Sequence, residues 1–208
     1  MDKQIEDLIT RWQKRNIEGF YCENKQATLE KILEIVPSSA TIGISGSVTL
    51  EQLGIVERLE KKGNKVFNQY RAGLGRQESL DLRKQGALAD YYLTSVNGIS
   101  ERGELVFFSG YGSRTAGISN AKNVIVVSGI NKITSDVTEA LRRAREYVTP
   151  LNCQRLNWNT PCFKDSICRK EICLFPEYKR MCCQILIIEA EVTPGRLKVI
   201  LVGANLGF

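Results

Sequence analysis

Seven cysteines and no histidine bound the chemistry open to this chain of 208 residues. Without an imidazole, Ser–His–Asp and Cys–His catalysis, His-ligated metals and imidazole proton switches are excluded. Six of the cysteines lie between 153 and 183, and from Cys162 onward the spacing is C-x5-C-x4-C-x8-C-C. Four thiolates drawn from Cys162, Cys168, Cys173 and Cys182 could hold zinc tetrahedrally or an iron–sulfur cluster, and such a site would be all-cysteine. The same spacing suits buried or oxidisable free thiols, and disulfides are the third reading. No tight C-x2-C knuckle is present, because four residues separate Cys168 from Cys173. Cys22 stands apart and reads as a small buried hydrophobe. Thiol-rich composition without a secretory pattern after Met1 leads to the expectation of a reducing compartment, the cytoplasm.

Four loops carry the other groups that could do chemistry. The segment 43–49 (GISGSVT) joins a predicted strand to a predicted helix. Its Gly46 lets backbone approach a ligand, and Ser45, Ser47 and Thr49 add hydroxyls suited to a phosphate or carboxylate. It is neither a GxGxxG fingerprint nor a P-loop, since no Gly-Lys-Ser/Thr follows. Asp90 and Asn97 bracket the next strand and join the same expected ligand set. In 109–119 (SGYGSRTAGIS), Arg114 offers a fork that matches carboxylate or phosphate. Lys132 follows an apolar strand and precedes a helix, an odd place for a merely solvated lysine. The alternatives for these residues are an ordinary capped turn and exposed cations.

The elements that must position these loops alternate. Helices are predicted over 2–15, 25–35, 49–62, 78–89 and 134–147, with strands over 16–22, 40–45, 65–68, 91–95, 104–108 and 123–128. The run NVIVVS (123–128) is apolar on both alternate faces, as a strand buried on both sides requires. After Pro150 the pattern breaks into the cysteine-rich segment. Two closing strands, 184–192 and 196–203, flank Thr193-Pro194-Gly195 and are predicted to pair as an antiparallel hairpin. The expected fold is α/β: an open, mostly parallel sheet with helices on both faces, in which ligands bind at the carboxyl ends of the strands. One domain spans 1–208, with 1–36 as an N-terminal helical appendage and 150–183 as a Cys-rich insertion.

The loops, in this order, resemble the lactate-utilisation (LUD) domain family, which includes LutC/YkgG-like subunits of a bacterial lactate-oxidation system. The segments are GISGSVTLEQLG (43–54), ADYYLTSVNGISERGELV (89–106), GYGSRTAG (110–117), KNVIVVSGINKITSDVTEALRRAR (122–145), NTPC (159–162) and GRLKVILVGANLGF (195–208). The resemblance implies a NagB/RpiA/CoA-transferase-like fold and an anionic small-molecule ligand. It also implies redox partner subunits carrying iron–sulfur or flavin. Family members usually show Asp-Gly-x-Gly-Asn-Arg where this chain has Ser109-Gly-Tyr-Gly-Ser-Arg114, and Gly-Glu-x-Leu-Gly where it has Gly203-Ala-Asn-Leu-Gly207. Both departures remove a carboxylate, which favours binding over catalysis.

Three functions follow: an accessory subunit of organic-acid oxidation, an enzyme of the CoA-transferase or phosphosugar-isomerase type, or a non-catalytic pocket protein. An enzyme would need a carboxylate near the loops, and Glu51, Asp90, Glu101 and Glu104 are the candidates. Lys and Arg number 29 against 23 Asp and Glu, a net charge of +6. That is a solvated surface and not a nucleic-acid footprint, which would cluster cations on one element. The one cluster, Arg142, Arg143 and Arg145, complements the dipole at the end of a predicted helix. Apolar runs such as 124–127 and 185–188 are too short to span a bilayer. Self-association stays open.

Overall fold

The computed structural model describes residues 2–208. Helix α1 (Lys3–Gln13) starts on Asp2, whose side chain accepts from the Gln4 N–H. It is followed by β1 (Ile17–Cys22), α2 (Lys25–Ile35) and β2 (Thr41–Ile44). One helix was expected over 49–62, but Gly54 breaks it into α3 (Val48–Leu53) and α4 (Ile55–Lys61) by adopting φ 63°. That left-handed conformation suits glycine and ends the helical ladder. Then come β3 (Lys65–Phe67), α5 (Arg76–Ala87), β4 (Tyr91–Thr94), β5 (Gly98–Ser100) and β6 (Leu105–Ser109). The chain continues through α6 (Ser113–Asn120), β7 (Asn123–Gly129), β8 (Ile133–Thr134) and α7 (Val137–Arg143).

The expected break at Pro150 does not occur. A wide helical turn over 144–148 leads into α8 (Thr149–Arg155). Pro150 falls in the first turn of α8, where its missing N–H costs little. Thr149 Oγ1 donates to the Ala144 carbonyl at 2.8 Å and helps satisfy the loosened turn. Strands β9 (Gln184–Ile188) and β10 (Leu197–Val202) complete the chain.

Six strands form an all-parallel sheet in the order β1-β10-β7-β4-β2-β3. A second sheet, β8-β5-β6-β9, is mixed. The sequence reading of an open, mostly parallel α/β sheet therefore holds, but the closing antiparallel hairpin does not. β9 pairs antiparallel with β6 in the second sheet, whereas β10 lies inside the main sheet, parallel to β1 and β7. The physical reason is burial. β10 is buried at five of its six positions and takes a site covered on both faces, while β9 leaves Ile185 and Ile187 partly exposed and takes an edge. A 2.6 Å ion pair of Arg196 with Glu191 steadies the connection.

Alternation along the central strands divides the core. Ile125, Val127, Ile200 and Val202 face Leu29, Ile32, Leu50 and Leu59 from α2, α3 and α4. Val124, Val126, Val199 and Leu201 face Ile5, Leu8 and Trp12 of α1, with Ile99, Leu105 and Phe107 of the second sheet. The segment 1–36 is thus more than a helical appendage: β1 forms the sheet edge and α1 is packed into the second core. α7 and the wide turn after it cover the other side of the second sheet, with Ala140 and Ala144 against Val106 and Phe108. Among the described residues no helix is long and apolar enough to cross a membrane. At Gly43 in β2 a Cβ would come within 2.0 Å of the Gly86 carbonyl of α5, so this helix can lie on the sheet only because that position has no side chain.

Candidate functional site

Because the strands of the main sheet run parallel, their carboxyl ends share one edge, and the loops leaving β2, β4 and β7 meet there. A cavity of about 290 Å³ opens at this edge, between the main sheet and the elements that follow the second one. The structure brings Ser45, Gly46, Ser47, Thr49, Asn97, Arg114 and Lys132 together around it. Ser45 and Thr94 share a buried 2.7 Å hydrogen bond. Ser47 caps α3 by accepting from the Leu50 N–H.

Lys132 is 3% exposed, and its Nζ donates to Thr49 Oγ1 and Ser95 Oγ, both at 2.9 Å, and to the Val96 carbonyl at 3.2 Å. No carboxylate touches it. Burial pushes its pKa down to about 7, and the Arg143 and Arg114 charges add to the fall. Arg114 donates at 3.0 Å to Asn97 Oδ1, the Phe108 carbonyl and the Gly46 carbonyl, which ties three loops together. These bonds use three of the five guanidinium N–H groups. Burial lowers the Arg114 pKa as well, opposed by Tyr92 and Tyr70, yet a guanidinium remains a cation.

Arg83 and Arg155 also line the cavity, and no Asp or Glu does. Glu51, an enzyme candidate, is exposed and pairs with Arg155 at 3.2 Å. Glu101 is exposed and accepts from Gln4, while Glu104 bonds Ser100 and faces Arg15, beside α1. None of the four candidate carboxylates reaches the cavity.

Asp90, expected among the ligand residues, is set elsewhere by the structure. It precedes β4 and so lies at the amino edge of the sheet. Its Oδ2 accepts from the Thr41 N–H at 2.9 Å and Oγ1 at 2.7 Å, and its Oδ1 from Lys122 Nζ at 2.7 Å. The Lys122 bond and then the Thr41 bonds hold its carboxyl well below the usual carboxylate range. With the folded pKa depressed, its stabilisation is present above the ordinary carboxylate pKa and is lost as the solution is acidified. Asp90→Asn is expected to cost about 1 kcal/mol in urea unfolding at neutral pH and to leave anion affinity unchanged. A loss of affinity in calorimetric titration would return Asp90 to the site.

Sequence reasoning missed several groups. Ser95 holds Lys132, and Arg143 donates to the carbonyls of Asn97 at 2.7 Å, Asn131 at 3.2 Å and Phe208 at 3.3 Å. Helical phase could have separated Arg143 from Arg142, which points outward to Glu139 and Glu146. Tyr111 and Trp158, with rings 5.7 Å apart edge to face, form an aromatic wall that no local pattern announced.

Cys162, Cys168, Cys173 and Cys182 line a second cavity of about 20 Å³. All seven cysteines are free, so the disulfide reading is not met in the structure. Among the described residues no three Cys, Asp or Glu side chains are already arranged to hold a metal ion. Cys183 is exposed, and Cys22 is buried in the first core. Burial pushes the Cys153 thiol up to about 12.

Comparison with known proteins adds the family. None of the curated proteins compared with this chain matches it. Among solved structures it is similar to a DUF162 family protein from Deinococcus radiodurans, with 12% identity, a TM-score of 0.51, and coverage of 96% of this chain and 94% of that one. It also matches ribose 5-phosphate isomerase A from Methanocaldococcus jannaschii, with 14% identity, a TM-score of 0.43, and coverage of 88% and 96%. The LUD domain model matches residues 5–202, nearly the whole chain. The chain belongs to the LUD domain family.

Proposed function

We propose that this protein binds a small organic anion in the cavity at the carboxyl edge of its main sheet. It serves as a cytoplasmic accessory or binding subunit in bacterial lactate or other organic-acid utilisation, beside an iron–sulfur or flavin redox partner. The observation that carries the binding reading is the charge of the cavity. Arg83, Arg114, Lys132 and Arg155 line it without any Asp or Glu, and of the four only Arg155 has an acidic partner, Glu51. Buried cations are costly unless paired, so the missing counter-charge is assigned to the ligand. The pathway and partner rest on the family resemblance.

Ligand oxygens would be received by Lys132 and by the hydroxyls of Ser47 and Thr49, with Arg114 holding the loops at fixed spacing. The aromatic wall of Tyr111 and Trp158 would cover the ligand's apolar part. Carboxylate acid–base chemistry of the isomerase kind has no residue in the cavity to perform it, which favours the binding role over the enzymatic one.

Calorimetric titration with pyruvate, lactate and orthophosphate tests the reading. A carboxylate keeps its charge near neutrality, so any pH dependence of pyruvate or lactate binding comes from the protein. Affinity is expected to be greatest below pH 7 and to fall as pH rises through about 7, where Lys132 loses its proton. Equal binding of lactamide, the neutral analogue, or binding of none of the three anions, would overturn the proposal.

A further inference from the structure

We propose that Cys162, Cys168, Cys173 and Cys182 form an all-thiolate site for one soft divalent cation of the zinc class, which fixes the segment 156–183 as a wall of the anion cavity. This goes beyond the anion-binding reading and stands on different residues. The segment contains only the single turn Pro161–Phe163 between α8 and β9. Irregular stretches of that length inside a compact domain are uncommon and are generally functional or disordered. Its burial is inverted. Cys162 and Cys173 are buried, while Ile167, Ile172, Leu174 and Phe175 are exposed, Phe175 by 86%. Hydrophobic packing therefore does not hold it, and small units without sufficient core are commonly held by a metal or a cross-link.

The four thiols point to the same place. They line one cavity of about 20 Å³, room for one water-sized atom. Arg145, Arg169, Lys170 and Arg180 line it too, and no carboxylate does. The Arg145 Nε is buried without a hydrogen-bond partner. Asp165 pairs with Arg169 and Glu171 lies 4.0 Å from Lys170, which leaves Arg145 and Arg180 facing neutral thiols without an acidic partner. Four thiolates around a divalent ion carry a net charge of −2, the sign these side chains require. On binding, four thiol protons pass to solvent and four sulfur–metal bonds form, with no change of oxidation state. The sulfurs are not yet at ligating positions, so binding contracts the irregular loop toward metal–sulfur distances near 2.3 Å. Thr149 and Met181 line both cavities, which makes the contracted loop the back of the anion site.

The test is the full chain purified under reducing conditions without chelator. Elemental analysis is expected to find one zinc per chain, and Co²⁺ exchange to give thiolate-to-metal charge-transfer absorption. Both are expected to vanish in a Cys168→Ser, Cys173→Ser double variant and to survive in Cys183→Ser and Cys22→Ser. Stripping the metal from the wild type is expected to shift the fluorescence of Trp158, assigned with a Trp158→Phe variant, and zinc to restore it. Wild type that holds no zinc and shows no cobalt–thiolate bands would overturn the site. Iron with sulfide would overturn the single-ion assignment, and unmoved Trp158 emission would overturn its role in the wall. None of these readouts depends on anion binding, so a failure here is separable from a failure of the anion site.

Discussion

Lys132→Met is expected to weaken anion binding by at least about tenfold while leaving the unliganded protein at least as stable as before. The ammonium is buried against Thr49, Ser95 and Val96 with no carboxylate beside it. Hydrogen bonds to a charged partner contribute roughly 1.5–3 kcal/mol, so their loss weakens affinity by about 10- to 150-fold. Methionine keeps the length and apolar stem of the side chain. Ser95 Oγ already donates to Thr49 Oγ1 at 3.1 Å, so the hydroxyls are not stranded.

The stability side of this prediction follows from linkage. The folded pKa, about 7, lies below the ordinary 10.5. Between those values the unfolded chain binds the extra proton, so wild-type stability climbs as pH rises across that window and the penalty of the buried charge is fully present below it. In Lys132→Met that climb is expected to disappear. Urea unfolding below and above pH 7, paired with pyruvate titration, measures both effects. Affinity retained within about twofold, or an unchanged pH slope of stability, would remove Lys132 from the site.

Trp12→Ala is expected to be the most damaging single core change at the N-terminal end. Trp12 is 0% exposed, packs in the core with Ile5, Leu8 and Phe107, and donates from Nε1 to the Gly103 carbonyl at 2.8 Å. Truncating a buried Trp costs about 3–5 kcal/mol, and here the Gly103 carbonyl also loses its donor. In a chain of this size that lowers Tm by roughly 6–20 °C. A shift smaller than about 2 °C by calorimetry would mean that α1 is dispensable to the second core.

The period of apolar residues and the glycine punctuation were enough to determine an alternating α/β chain. Strand polarity then put the loops at 43–49, 94–97 and 129–132 on a common edge, because parallel strands end on the same side. Arg114 and Lys132 were legible as cations of one cavity for the same reason: each follows a strand that reads as buried. What is read locally is direction along the chain, and direction alone misassigns Asp90, which starts its strand and so stands at the opposite edge bonded to Thr41 and Lys122. Tertiary structure alone decided the rest. Thr193-Pro194-Gly195 is a good local turn, but β10 is buried nearly throughout and is inserted between β1 and β7, a pairing with partners far away in sequence. The aromatic wall, the Arg143 clamp and the convergence of four cysteines on one cavity likewise join residues from separate elements. No residue in such a contact carries a mark of its partner in the local pattern, since packing across the core selects partners by shape and burial and not by spacing along the chain.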